Sequence, residues 1–200
     1  MSTLEKAIQY SRNSFANGEF IQRLSSLIEI ITDSKEPVSA KVLKEYYTKG
    51  LLNIFEELGI KSKIIDNPIN DKPPFLIGSR IESPEYKTIL LYGHGDTVPL
   101  QTGDWYEGIN PSELKVIGDK IYGRGVADNK GQHFINLMAL LSVLKTKKKL
   151  GFNLKLIFEM GEEIGSPGLF ELCELYKEDL KSDVLIAVSY THLTLPTNSG

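Results

Sequence analysis

Twice along this chain a run of β-forming apolar residues breaks directly into a glycine-flanked acidic loop. TILLY (88–92) runs into GHGDTVP, and FNLKLIFEM (152–160) runs into GEEIGSPG. Ile89, Leu90 and Leu91 are apolar without alternation, the pattern of a strand covered on both faces. Between these two strands, residues 131–147 carry Phe134, Leu137, Met138, Leu141 and Leu144 on one helical stripe. A helix is predicted at 167–180, with Ser166 as its N-cap and Pro167 in its first turn, and a last strand at 183–188. Strands alternating with helices imply an α/β fold, a mostly parallel sheet with helices on both faces. In such sheets ligands bind beyond the C-terminal ends of the strands, so the loops that follow them are expected to converge at one edge.

The N-terminal part reads as two helices. Phe20, Ile21, Leu24, Leu27, Ile28 and Ile31 form one stripe; Val38, Val42, Leu43, Tyr46, Leu52 and Phe55 form the next, with Gly59 as its stop. Short strands are predicted at 60–65 and 75–81, separated by the turn residues Asn67-Pro68 and Asp71-Lys72-Pro73-Pro74. Two hundred residues with 41% hydrophobic and 24% charged are enough for one well-cored domain. A net charge of -3 gives no electrostatic case for nucleic acid or an anionic membrane, and Lys147-Lys148-Lys149 reads as a solvated helix end. The first twenty residues hold no apolar core of signal-peptide length, and no run approaches the roughly eighteen apolar residues of a membrane span. A cytoplasmic location is expected. The single cysteine, Cys173, reads as a packed thiol.

A third glycine-rich segment, YGRGVADNKG (122–131), completes the set. Its Asp128 stands where a nucleotide loop of the form GxGxxG needs its third glycine, and no Gly-Lys-Ser/Thr follows. Together the three loops present His94, Asp96, Asp128, Glu162 and Glu163. A mixed nitrogen and oxygen set without cysteine suits a catalytic zinc, cobalt or manganese rather than a structural zinc. Asp96, two residues beyond His94, is close enough to orient a ligating imidazole. The adjacent Glu162 and Glu163 point in different directions, so one can bind metal while the other works on water. Asp128 is the natural bridging carboxylate. His133 reads as a satisfied core or supporting histidine, and Trp105, Tyr106 and Tyr122 as packed aromatics near a substrate mouth.

In HGDTVP, GRGVADNKG and GEEIGSPG, in this order and spacing, the sequence resembles the di-zinc metallopeptidase family of acetylornithine deacetylase, succinyl-diaminopimelate desuccinylase and carnosinase-type dipeptidases. The resemblance spans roughly residues 15–187. It implies two Zn2+ ions, with Co2+ or Mn2+ as alternatives. His94 would bind one, Asp128 would bridge both, Glu163 would bind the other, Glu162 would be the general base and Asp96 would clamp His94. It implies a peptide bond after Asp128 that is often cis. It also implies hydrolysis of an amide in a small peptide or N-acyl amino acid, by a dipeptidase, carboxypeptidase or deacylase, with a homodimer formed through a smaller lid domain.

The sequence departs from that pattern at its end. After DVLIA the family presents an acidic ligand within two or three residues, where Val188, Ser189, Tyr190 and Thr191 stand here. The lid and the late histidine ligand have no counterpart. Residues 188–200 (VSYTHLTLPTNSG) carry no charge and read as a tail foreign to the rest, in which His192 is a chance histidine. The expected organisation is therefore 1–187 as the N-terminal part of a metallopeptidase catalytic domain, truncated before the lid, and 188–200 as a non-native tail. The rival class is a non-catalytic paralogue that keeps the sheet as a binding or regulatory surface. The 200-residue chain is expected to be inactive, because three metal-binding side chains would be spread over two metals while one catalytic zinc normally takes three. Glu162-dependent amide hydrolysis by the purified chain would overturn this expectation.

Overall fold

The structure, a computed structural model, describes residues 1–34 and 40–187. Val38 and Val188, placed above in a helix and a strand, and the 188–200 tail with His192 lie outside the described residues. The chain opens with helix α1, Thr3–Ala16, ahead of the two helices predicted. Ser2 and Glu5 cap it reciprocally: Ser2 Oγ accepts from the Glu5 amide at 3.2 Å and the Glu5 carboxylate accepts from the Ser2 amide at 2.7 Å. Helix α2, Glu19–Ile28, buries Leu24, Leu27 and Ile28 as its stripe requires. The second expected helix is one continuous helical run: α3 at Ala40–Glu45, a π-helical turn at Tyr46–Leu51, and α4 at Leu52–Leu58. Gly59 ends it in a left-handed conformation.

Three strands follow: β1 (Lys61–Ile65), β2 (Phe75–Arg80) and β3 (Thr88–His94). A small hairpin, β4 (Lys115–Ile117) and β5 (Lys120–Tyr122), turns on Gly118-Asp119 and was not expected from the sequence. Helix α5, Lys130–Lys147, buries the five predicted stripe residues, and the lysines at its end are exposed. Strand β6 (Asn153–Glu159), helices α6 (Leu169–Leu175) and α7 (Lys177–Leu180), and strand β7 (Val184–Ala187) complete the described chain. The predicted helix at 167–180 is thus two helices, and Ser166 is not its cap. Gly168, at φ 85°, stands at the N-cap position without a side-chain bond, while the Ser166 hydroxyl donates to Glu159 Oε1 at 2.9 Å. Ser166 holds the preceding loop instead of starting the helix.

The sheet order is β1-β2-β6-β3-β7. β6, β3 and β7 are parallel; β2 runs against β6, and β1 against β2. Four of the five strands therefore point the same way, and β2 alone is reversed. Alternate side chains serve two cores. Leu76, Leu91, Leu154, Leu156 and Phe158 pack under α2, α4 and α5, while Phe75, Ile77 and Ile157 pack under Leu172 of α6 and Leu180 of α7. Both faces are covered, as the unbroken apolar run of β3 predicts. Cys173 is half-buried against the smaller core.

Asn153 anchors the start of β6 beneath this sheet. Its side-chain oxygen accepts from the Glu82 and Ser83 amides at 2.8 and 3.1 Å, and its Nδ2 donates to the Ser83 and Tyr86 carbonyls at 2.7 and 3.1 Å. Each such bond contributes about 0.5–1.5 kcal/mol net, so Asn153→Ala is expected to cost about 2–4 kcal/mol in urea denaturation, with no change in the m-value.

Candidate metal centre

The C-terminal ends of β3 and β6 lie side by side, with His94 in register opposite Glu159. His94 is the last residue of β3 and is buried. Its Nδ1 lies 3.1 Å from the Asp96 main-chain oxygen and 3.3 Å from Asp96 Oδ1. Both are acceptors, so Nδ1 carries the proton and Nε2 is the nitrogen presented outward. Nε2 lies 3.1 Å from Asp128 Oδ1 and 3.8 Å from Glu162 Oε2.

Asp96 is fully buried and is the hub of the cluster. Its Oδ1 accepts from the Glu162 amide at 3.2 Å and its Oδ2 from the Glu163 amide at 3.1 Å. The Asp96 carboxylate thus lies against the His94 ring and also fixes the backbone of the glutamate loop. The Asp128–Asn129 peptide is cis. Asn129, buried beside it, accepts the His94 amide on its side-chain oxygen at 3.2 Å.

A further strap was invisible in the sequence. Thr32–Ser34 pairs with the loop after β3: the Thr97 amide donates to Thr32 O, the Ser34 amide donates to Thr97 O, and Thr32 Oγ1 donates to Gly95 O at 2.6 Å. Glu159 was also missed, although an acidic residue closing an apolar strand beside GEEIGSPG was open to notice. Its Oε1 accepts from Tyr92 Oη at 2.5 Å and from Ser166, and burial pushes its carboxyl pKa up against those two bonds. Trp105 donates to Leu100 O and packs against Arg124, while Tyr106 stands exposed.

The electrostatics are one-sided. His94 is surrounded by carboxylates, and although burial pulls its pKa down, the hydrogen bond and charge of Asp96, then the charges of Glu162 and Asp128, raise it to about 9. Glu163 is pushed up by burial and by the charges of Asp128, Glu162 and Asp96, against the opposing pull of His94. Such a set of oxygen donors around one imidazole fits a divalent cation in donor chemistry and in charge. Among the described residues, however, no group of three or more His, Cys, Asp or Glu side chains is arranged to hold one. The structure thus brings together His94, Asp96, Asp128 and Glu162 by direct contact, and Glu163 through its backbone and its charge.

The model of peptidase family M20/M25/M40 matches residues 90–198, more than half of the chain. The chain is 31% identical over 195 residues to the human Beta-Ala-His dipeptidase, covering 90% of this chain and 37% of that protein. It is 33% identical over 209 residues to the cysteinylglycine-S-conjugate dipeptidase of Corynebacterium striatum, covering 100% of this chain and 45% of the relative. Among solved structures it resembles human carnosine dipeptidase 1, with a TM-score of 0.80 at 30% identity over 94% of this chain and 41% of the other. It also resembles an M20 family metallo-carboxypeptidase from Sulfolobus solfataricus, with a TM-score of 0.71 at 28% identity over 84% of this chain and 37% of the other. The chain spans about two fifths of the length of these relatives. Among the described residues no helix is long and apolar enough to cross a membrane.

In the metal-free chain the His94 ring is expected to stay protonated to about pH 9, and Asp96→Asn to bring its titration back towards the ordinary value near 6.5. Imidazole NMR across pH 5–10 checks this, and an unshifted His94 in the Asp96→Asn chain would contradict the clamp.

Proposed function

Because the chain belongs to peptidase family M20/M25/M40, we propose that residues 1–187 are the N-terminal part of the catalytic domain of a metal-dependent dipeptidase, carboxypeptidase or N-acyl-amino-acid deacylase. The observation that carries the reading is the buried Asp96 carboxylate, which ties His94 to the Glu162-Glu163 backbone at one sheet edge. Zinc, cobalt or manganese suits the donors; His94 and Glu163 would each hold one ion and Asp128 would bridge them. When bound, the metal lowers the pKa of a water ligand to about 7 and polarises the substrate carbonyl.

The remaining work falls to side chains of this chain. Asp96 keeps a proton of His94 on Nδ1, which leaves Nε2 as the nitrogen that would ligate once a cation displaced its proton. Glu162, whose carboxylate is half exposed, is free to accept a proton from the attacking water and to return it to the leaving amine nitrogen. The substrate class is a dipeptide, supported by the names of the dipeptidase relatives, with an N-acyl amino acid as the alternative that the family resemblance implies.

The second reading, a non-catalytic binding module, is favoured by one observation: the described side chains do not gather three donors for one ion. Zinc affinity separates the two. The proposal expects the chain to take up Zn2+ in competition with a chromogenic chelator, His94→Ala to lose that uptake, and Glu162→Gln to retain it. In a polypeptide extended along its own gene beyond codon 187, Glu162→Gln is expected to lower kcat about 10²–10⁴-fold with little change in KM. Retention of full kcat by Glu162→Gln would remove the assigned base.

A further inference from the structure

Packed against the His94 loop lies a buried polar chain that the proposed reaction does not use. Tyr46, in the π-helical turn, and His133, on the first turns of α5, are 0% and 2% exposed. Tyr46 Oη lies 2.6 Å from His133 Nε2, and His133 Nδ1 lies 3.0 Å from Asn129 Oδ1. That same oxygen accepts the His94 amide.

The direction of every bond in this chain follows from its fixed end. The His94 main-chain N–H can only donate, so the Asn129 atom facing it is the amide oxygen. An oxygen that only accepts requires His133 Nδ1 to carry the proton. In a neutral ring Nε2 is then an acceptor, and the Tyr46 hydroxyl must donate to it. The ring is 2% exposed and its Nε2 faces a hydroxyl, surroundings that favour the neutral form.

Packing makes the same connection. The Tyr46 ring meets His133 edge-on at 5.9 Å, and His133 leans on Phe158 at 4.9 Å. This wall presses on the backbone either side of His94. A Cβ on Gly95 would lie 2.5 Å from the Tyr46 ring, and one on Gly93 would lie 2.6 Å from the Phe158 ring and 3.0 Å from His133 Cβ. Only glycine lets the loop sit this close.

We propose that Tyr46 and His133 are positioning residues for His94, acting as a one-way hydrogen-bond relay, Tyr46 O–H to His133 and His133 Nδ1–H to Asn129, that holds the Asn129 oxygen on the His94 amide. The relay deepens the metal-dependent reading and rests on it for its purpose, but its bond polarity is independent of any metal. It links the helical run α3–α4 to the main chain of His94 through three hydrogen bonds.

Long-range nitrogen–proton NMR of the full 200-residue chain at pH 7 is the first test. The Nδ1–H tautomer of His133 is expected; the Nε2–H tautomer or an imidazolium overturns the relay. Hydrogen exchange at the His94 amide is the second, expected to quicken about tenfold in Tyr46→Phe and in His133→Leu, the loss of one net hydrogen bond. His133→Asn, which restores a donor near the Nδ1 position, is expected to recover most of the protection. Wild-type exchange in a folded His133→Leu chain overturns the proposal. Zinc competition serves as the third readout: His133→Leu is expected to weaken uptake about tenfold, the lower end for partners that orient a ligand. If the wild-type chain takes up no zinc, the metal reading fails while the tautomer and exchange results still decide the relay.

Discussion

A carboxylate with no exposure to water holds this site together. Burying Asp96 carries a desolvation cost of several kcal/mol, which only close partners can offset. Among the described residues these are two main-chain amides from the Glu162-Glu163 loop and the His94 imidazole. His94 ends β3 and the two amides follow the end of β6, so one side chain couples the ends of both strands. Its loss would free the imidazole to rotate and the glutamate pair to drift, although no strand would be touched.

Around that hub the sheet edge is built in layers of decreasing rigidity. The strands supply register, placing His94 beside Glu159. Main-chain pairing with Thr32–Ser34 and the hydroxyl of Thr32 pin the loop after β3, and Glu159 with Ser166 pins the turn after the glutamates. Asp128 and Glu162, nearly half exposed, are the members turned outward. The result is a surplus of negative charge converging on a single imidazole, an arrangement that attracts protons at neutral pH and would be relieved by a cation. That imbalance is the physical content of the resemblance to metallopeptidases.

Much of this was legible in the residues. The strand runs, the stripe of α5 and the conjunction of three glycine-flanked loops pointed to one α/β sheet edge, and His94, Asp96, Asp128 and Glu162 do meet there. What was missed had weaker or misleading local patterns. Helix α1 starts at a Ser2–Glu5 capping box, a signal independent of apolar periodicity. The β4–β5 hairpin is too short to show alternation. Ser166 looked like a cap because serine before proline commonly starts a helix, but a tertiary partner, Glu159, claimed its hydroxyl.

The sequence by itself determined the fold class, the order of the loops and the types of donor they carry, because hydrophobic period and glycine placement are local properties that survive without a structure. Only the tertiary structure decided which atoms face one another: that Asp96 serves two loops, that Thr32 reaches Gly95, and that Tyr46 lies against His133, eighty-seven residues away. These pairings depend on how helices and strands distant in the chain are stacked, and hydrogen-bond distance is set by that stacking rather than by the identity of any neighbour in the sequence.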